Sequence, residues 1–474
     1  MCAAFHNLSQ TSREPVGFPW QGVLALQSNM NCPKQPLNRA ASSRYISVKM
    51  KFWISQLIAV SWMTLSIVLS LPWVHDLEQY IPSFVAFAVI AGISYIPGYM
   101  NAFMIASLLV DRQPTFKTLA PKEDITIVIA CRNEEKGIGE TLNQIAKQDH
   151  EGKIDVIVVD NGSIDRTAEV AKELGKQLGL DILVVEETRA GKHHALNRAL
   201  PLVMTRYVVT LDADTLLHPQ AIRYIVARML SAPADVSAVA GAVLVRNSRD
   251  NFLSKIQEWD YFLGIASIKR LQGLYQGTLV AQGAFSLYET DAIRNIGGWP
   301  DAIGEDIVLT WRLLGTNQRV FFEPLAVAFT DVPTTFKHFF RQRSRWARGM
   351  IEALKVIKPW QQPIMFARFL TGYNLLMPYL DFVYTFCWLP GLVAAFFGHY
   401  WIVGPITLLV LPLALLQNMI LYRYQKYVFR TLDLKIRRNR WGFVAFVLCY
   451  QMIMSPVSVC GYFQECLKLG RVWK

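Results

Sequence analysis

The sequence predicts an α/β domain with a mostly parallel sheet, inserted between membrane-spanning helices that number about five. Two observations predict this arrangement. Long apolar runs without a charged residue lie toward both ends of the 474-residue chain, and a block of ordinary soluble composition, residues 111–370, separates them. Within the block, strand-like segments alternate with helical ones, as they do in sheets with crossover helices.

The apolar runs set the number of membrane crossings, because a helix needs about 20 apolar residues to span a bilayer. Four runs are charge-free: residues 52–74, 81–110, 382–422 and 441–464. The third run is long enough for two passes with a tight turn near Gly398, which makes five spans. Such runs are rare in soluble proteins, so a buried core helix is a poor alternative for any of them.

The excess of basic residues indicates which way the chain crosses the membrane. Residues 1–51 have a net charge of +5 (six basic residues and Glu14), and residues 423–440 one of +6 (seven basic residues and Asp433). Each segment flanks an apolar run, so the charge indicates membrane orientation and not a nucleic-acid partner. Since basic segments favour the cytoplasm, we expect both segments and the block 111–370 to be cytoplasmic, and the tail with Lys468 to lie outside.

These patterns divide the chain into six segments. They are disorder or a start-site artefact at 1–49, two transmembrane helices at 50–110, a cytoplasmic α/β domain at 111–334, interfacial helices at 335–370, three transmembrane helices at 371–464 and a tail at 465–474. The seven cysteines contain no CxxC pair, so neither a zinc site nor a disulfide framework is predicted.

Carboxylates follow two of the strands predicted in the soluble block. The strands are Ile125–Ala130, Asp155–Val159, Ile182–Val185 and Tyr207–Leu211, with helical stretches near 139–148, 165–178 and 191–200. Asp160 follows the second strand, and Asp212 and Asp214 follow the fourth. Ligands of parallel sheets gather at the carboxyl ends of the strands, so we expect all three carboxylates on one edge.

A cation bound to a phosphorylated ligand explains these carboxylates best. The chain has no P-loop, and Gly137–Ile138–Gly139 lacks the third glycine of a dinucleotide fingerprint. Magnesium commonly takes one or two carboxylates together with the phosphates of its ligand.

Four motifs now stand in order along the chain. They are Asp160 in Val-Asp-Asn-Gly-Ser, Asp212-Ala213-Asp214, Gly304-Glu305-Asp306, and Gln342-Arg343-Ser344-Arg345-Trp346. The chain therefore resembles the processive, membrane-embedded branch of the family 2 glycosyltransferases, which includes cellulose, chitin and hyaluronan synthases. Residues 236–348 are most similar to the bacterial poly-β-1,6-N-acetylglucosamine synthases, although Gly304 stands where those enzymes usually have threonine.

The resemblance implies a Rossmann-like GT-A fold, a UDP-sugar donor, a growing polysaccharide as acceptor and Mg²⁺ or Mn²⁺ as cofactor. It also implies partners and a location: the lipid bilayer of a bacterial inner membrane, a small accessory membrane subunit and export proteins, with a biofilm polymer as product. No nucleic-acid partner is implied.

The resemblance also assigns roles to the motif residues. Asp160 accepts hydrogen bonds from the uridine, Lys192 lies near the nucleotide, and Asp214 with Asp212 holds the metal. Asp306 is the general base, for which proton transfer contributes typically 10²–10⁴-fold. Glu305 is a second catalytic candidate, ranked below Asp306, and its alternative is an orienting or helix N-terminal role. Gln342, Arg345 and Trp346 share one face of a predicted helix at about 335–357 and close over the diphosphate and the acceptor end.

Other interpretations of these residues stay open. Asp160 has good turn chemistry, and Lys192 could be a solvated surface lysine. The helix of the fourth motif could be an amphipathic helix on the membrane, with these residues toward the surface: Phe339, Phe340, Arg341, Arg343 and Arg348.

Three functions are therefore compared. The first is an inverting, processive transferase that elongates and extrudes a β-linked poly-N-acetylglucosamine from UDP-N-acetylglucosamine. Inversion follows from one base and no evident second nucleophile. The second transfers one sugar to a lipid or a short acceptor. The third, of a different class, is a degenerate transferase acting as a membrane transporter or sensor.

Overall fold

The computed structural model of the chain describes residues 46–404 and 410–470. The prediction for residues 1–49 falls almost entirely outside the described residues. The soluble block is an α/β domain, and apolar helices precede and follow it. The predicted fold class is confirmed.

One mixed sheet forms the centre of the soluble domain. Its eight strands are β1 Ile125–Cys131, β2 Ile154–Asp160, β3 Asp181–Glu186, β4 Tyr207–Asp212, β5 Leu216–Leu217, β6 Val236–Val245, β7 Phe285–Glu289 and β8 Arg319–Thr330. Their order is β3-β2-β1-β4-β7-β6-β8-β5. The four predicted strands form the parallel half, whereas β7 runs antiparallel to both β4 and β6.

Helices cover the sheet and continue into the apolar segments. Before the sheet lie α1 Val48–Glu78, α2 Ser83–Ile90 and α3 Ile96–Leu109. Within the domain lie α4 Ile138–Ala146, α5 Thr167–Leu178, α6 Lys192–Ala199, α7 Ala221–Ser231, α8 Phe252–Trp259, α9 Ala266–Leu274, α10 Thr290–Asn295, α11 Glu305–Gly315 and α12 Phe336–Val356. After it lie α13 Met365–Val383, α14 Leu389–Phe396, α15 Val410–Thr431 and α16 Arg440–Cys466.

Four of the described helices are long and apolar enough to cross a membrane. They are α1, α2 continued by α3, α13 continued by α14, and α16. The second pass predicted for the run 382–422 corresponds to α15, which carries Arg423, Lys426 and Arg430 near its end. Residues 405–409, which precede α15, are outside the described residues. The predicted turn near Gly398 is present, since α14 ends at Phe396 and Gly398 has φ +85°.

The soluble domain and the apolar helices share one hydrophobic core. Strands β1 and β2 are almost entirely apolar, and their central side chains are buried. At the membrane side, the ring of Phe52 in α1 lies 5.5 Å from that of Tyr275 and 5.1 Å from that of Phe369 in α13. Burial of this aromatic area ties the start of the membrane helices to the domain.

Candidate active site

The carboxyl ends of β2 and β4 flank the end of β1. Cys131 of β1 pairs with Asp160, and Ala130 pairs with Asp212. Because neighbouring strands are about 4.8 Å apart, the two aspartates stand roughly 10 Å from each other across the edge. The prediction that these carboxylates share one edge of the sheet is confirmed.

Asp160 is part of a tight turn. The backbone N–H of Ser163 donates to its Oδ1 at 3.1 Å, and Gly162 has φ +67°, a conformation that glycine adopts readily. The turn interpretation of Asp160 therefore holds. It leaves the binding role open, because a carboxylate has a second oxygen with which to accept hydrogen bonds.

The next residue, Asn161, shapes the loop that presents Lys192. Its amide nitrogen donates to the carbonyls of Glu187 and Arg189, at 3.0 and 2.7 Å, and its amide oxygen accepts from Gly191 N–H at 2.9 Å. Gly191 has φ +142°, which side chains other than glycine rarely adopt. Helix α6 then begins at Lys192, whose side chain points toward the sheet edge.

Lys192 joins two of the predicted motifs. Its Nζ forms an ion pair with Asp212 Oδ1 and lies 3.9 Å from Glu305 Oε1. The side chain is only 18% exposed, so the surface-lysine interpretation is wrong. Burial acts to lower the pKa of Lys192, but the two carboxylates outweigh it and raise the pKa, which keeps the ammonium charged.

Asp214 lies in a pocket of negative potential. Burial, followed by the charges of Asp212 and Asp331, raises the pKa of Asp214 above its usual range. A divalent cation would relieve this repulsion, and carboxylate oxygens are the ligands that Mg²⁺ and Mn²⁺ prefer. Among the described residues no group of three or more His, Cys, Asp or Glu side chains could hold a metal, so an ion here needs the oxygens of its ligand as well.

Asp306 is held by two backbone N–H groups at the start of α11. The N–H of Ile307 donates to Oδ1 at 2.9 Å, and that of Gly283 donates to Oδ2 at 3.3 Å. These bonds fix the carboxylate beside the loop that contains Gly283. Burial, and then the charge of Asp306, raises the pKa of the neighbouring Glu305.

Helix α12 carries the fourth motif and packs closely on the start of α11. A Cβ built on Gly304 would lie 2.9 Å from the Cα of Gly349, so the two backbones are nearly in contact. The N–H of Ile303 also donates to Glu352 Oε2 at 2.6 Å. This packing brings α12 to the two acidic residues, and the charge of Arg345 acts on Glu305 and opposes the rise in its pKa.

The three motif residues of α12 differ in exposure. Arg345 and Trp346 are exposed, whereas the side-chain oxygen of Gln342 is buried and has no hydrogen-bond partner within the described parts of the chain. The membrane-surface interpretation is wrong for Phe339 and Arg343, which are 0% and 2% exposed. Both lie against α8, the segment that follows it and α16, and not against lipid.

Sequence reasoning missed several charged groups at this edge. Glu134 lies three residues after the end of β1, and burial together with the charges of Asp214, Asp165 and Asp212 raises its pKa to about 7. Asp331 follows β8 and is ion-paired with Arg246. Both stand just beyond the carboxyl end of a strand, so the rule that selected Asp160 and Asp212 would have selected them too.

Comparison with known proteins finds glycosyltransferases similar to this domain. Residues 121–349 match the model of the family described as "Glycosyltransferase like family 2". Poly-beta-1,6-N-acetyl-D-glucosamine synthase of Staphylococcus aureus (strain COL) is 35% identical over 233 residues, which are 49% of this chain and 56% of that protein. The enzyme of that name from Staphylococcus epidermidis is 34% identical over a stretch of the same length. The match spans little more than half the length of these relatives.

A solved structure is similar over most of the chain. The mannosyltransferase PcManGT from Pyrobaculum calidifontis, in complex with GDP-Man and Mn²⁺, has a TM-score of 0.54 at 19% identity, and the match covers 88% of this chain and 100% of that one. A glucosyl-3-phosphoglycerate synthase from Mycobacterium tuberculosis, with Mg²⁺ and UDP, has a TM-score of 0.35 at 20% identity over 49% of this chain and 79% of that one. The first of these likenesses supports the fold of the domain together with its apolar helices.

Proposed function

The chain carries a family 2 glycosyltransferase domain with the GT-A fold, and from this premise we propose its reaction. The protein is an inverting, metal-dependent transferase. It uses UDP-N-acetylglucosamine to elongate a β-linked polysaccharide of the poly-N-acetylglucosamine type, and its apolar helices carry the product across the membrane. The choice of sugar rests on the similarity to the synthases of that polymer.

One observation supports the reaction more than any other. Lys192 contacts Asp212 at the end of β4 and Glu305 at the start of α11, so two motifs almost a hundred residues apart meet at one ammonium group. Asp306, the proposed base, accepts from the N–H of Gly283, and a Cβ built on Gly283 would lie 2.7 Å from Lys192 Nζ. A donor diphosphate near Lys192 would therefore lie beside a carboxylate that can take a proton.

The proposed mechanism divides the work among these groups. A metal ion held by Asp214 and Asp212 would neutralise the charge of the UDP leaving group. Asp306 takes the proton from the acceptor hydroxyl as its oxygen attacks the anomeric carbon, and a single displacement inverts the configuration. Arg345 offers charge-assisted hydrogen bonds to phosphate, and Trp346 offers its ring to an acceptor sugar.

Contacts at the two ends of the apolar helices support the topology. Phe52 of α1 touches the domain, whereas Trp73, about 30 Å further along the helix, donates to the carbonyl of Trp401 at 2.8 Å. The chain after α14 therefore lies at the far end, about one hydrocarbon thickness away. It returns along α15, because Trp259 Nε1 donates to the carbonyl of Asn439 at 2.8 Å.

The last helix differs from the other apolar helices. Its first end joins the domain through Asn439, and near its other end Glu465 lies 2.9 Å from Lys355 and 3.5 Å from Arg348 of α12. Both ends thus lie on the side of the catalytic domain. We infer that the tail with Lys468 is cytoplasmic, which accords with its charge better than the outside position that the count of five spans implies.

The experiment uses inverted membrane vesicles, Mg²⁺ or Mn²⁺ and a panel of radiolabelled UDP-sugars, with the product sized. A high-molecular-weight product from UDP-N-acetylglucosamine is the expected result. A product one sugar larger than a lipid would replace the polymer with single transfer. No transfer from any donor would leave only a degenerate domain.

A further inference from the structure

Arg343, the second residue of the fourth motif, lies buried among three aromatic rings. Its side chain is 1% exposed, whereas Arg341, two residues earlier on the same helix, is exposed. The guanidinium carbon lies 4.1 Å from the ring centroid of Trp346, 5.4 Å from that of Phe339 and 5.6 Å from that of Tyr261. A cation at such distances from a ring is attracted by its π electrons.

A carboxylate pairs with this guanidinium, and a phenol donates to the carboxylate. Asp260 Oδ2 lies 2.9 Å from Arg343 Nη2, and the hydroxyl of Tyr450 donates to the same Oδ2 at 2.7 Å. Asp260 begins the π-helical turn Asp260–Ile265, and Tyr450 belongs to α16. These contacts connect α16 to Trp346 through Asp260 and Arg343, and we call Tyr450, Asp260, Arg343 and Trp346 the cluster.

Stability alone does not account for this cluster. A buried ion pair is often no better than apolar residues of similar volume, because both charges lose their hydration. Neither Nε nor Nη2 of Arg343 makes a hydrogen bond within the described residues, so the ion pair with Asp260 leaves donors of the guanidinium unsatisfied. What the cluster does provide is a fixed orientation for the ring of Trp346, a residue that stays 38% exposed.

We propose that Arg343 is a positioning residue: it sets the orientation in which Trp346 receives the acceptor, and Asp260 and Tyr450 hold it there. The inference rests on the proposed function, in which Trp346 stacks on the acceptor sugar. Donor binding is proposed for Lys192, Asp212 and Arg345, and Arg343 contacts the acceptor residue Trp346 instead. Loss of Arg343 therefore acts on the acceptor and leaves the donor unaffected.

The test is a double-mutant cycle in membrane vesicles that hold the full-length protein. Arg343→Met, Trp346→Ala and the double variant are compared for the KM of an N-acetylglucosamine oligosaccharide acceptor, the KM of the UDP-sugar and the product length. Arg343→Met is expected to raise the acceptor KM at least 10-fold and shorten the product, with the donor KM unchanged. In the Trp346→Ala background the same change is expected to have no further effect, because Arg343 acts through that ring.

Two controls keep the outcome clear. Arg341→Met removes an exposed charge two residues before Arg343 and is expected to leave both KM values as in the wild type. If Arg343→Met does not fold, Asp260→Asn is measured, which weakens the anchor and keeps the cation, and a smaller rise in the acceptor KM is expected.

Two results would overturn the inference. One is an unchanged acceptor KM in Arg343→Met, or in Asp260→Asn where that variant takes its place. The other is an equal loss with and without Trp346, which marks a merely structural role. A wild type that makes no product from any donor would instead refute the proposed function, so the two failures are distinguishable.

Discussion

The approach of α11 and α12 at Gly304 and Gly349 gives the sharpest test of the site geometry. In Gly304→Ala the new Cβ would lie 2.9 Å from the Cα of Gly349 and 3.3 Å from its carbonyl carbon and oxygen. Ordinary contact begins at 3.4 Å, so the backbones must separate by at least 0.5 Å, the difference between 3.4 and 2.9. Side-chain rotation cannot relieve the clash, because the opposing atoms are backbone.

The separation moves Arg345 and Trp346 away from Asp306. A misplacement of about 1 Å can cost about 10²-fold in rate, so about 10-fold is expected for half that distance. Overpacking also costs about 1–3 kcal/mol of stability. The assay is kcat for transfer from UDP-N-acetylglucosamine in vesicles, with the donor KM and the unfolding temperature in detergent. The donor KM should rise as well, since Arg345 moves with α12 and is proposed to bind the donor phosphate.

Gly315 provides the matched control. It ends the same helix α11, and a Cβ there would have nothing within 4 Å. Gly315→Ala should keep the wild-type rate and should not lower the unfolding temperature, because alanine is the better helix former. If Gly304→Ala equals Gly315→Ala in both rate and unfolding temperature, α12 does not hold the acceptor side of the site as described.

The remaining predictions concern a buried charge, the metal and the topology. Burial lowers the pKa of Lys269 from 10.5 to about 8, with Asp306 opposing. The cost of charging Lys269 is thus fully present below pH 8 and disappears as the pH rises toward 10.5. At pH 7 the free energy of unfolding of Lys269→Met should exceed that of the wild type by up to about 3 kcal/mol, and the difference should vanish near pH 10.5. Thermal unfolding measured over a series of pH values checks this. Chelation by EDTA should abolish transfer while the fold persists by circular dichroism, and Mn²⁺ or Mg²⁺ should restore it; full activity in EDTA would remove the metal from the mechanism. Peptide tags near Trp401 and at the C-terminus should become accessible on opposite sides of the membrane; accessibility on the same side would refute the placement of α15 or α16.

The sheet edge was predictable because it follows from local rules. Apolar segments separated by helices imply parallel strands, and parallel strands bring their carboxyl ends together, which was enough to place Asp160 and Asp212. The antiparallel β7 was not predicted, since its partners β4 and β6 are chosen by tertiary packing and not by the five residues of the strand.

Local sequence rules could not predict that Asp306 lies close to α12. More than thirty residues separate Asp306 from Gln342, and only the resemblance to a family placed them together. The sequence left open a membrane-surface position for Arg343, because helical spacing shows which residues share a face but not what covers that face. Here α16 and the turn at Asp260 cover it, and neither contact has a local sequence signal.

The most direct test of the account compares Asp306→Asn with Glu305→Gln in the vesicle assay at saturating donor and metal. Both substitutions keep the size of the side chain, and only the first removes the proposed base. The account predicts that Asp306→Asn lowers kcat by about 10²–10⁴-fold with UDP binding retained, and that Glu305→Gln lowers it less. Transfer by Asp306→Asn at the wild-type rate would contradict the account.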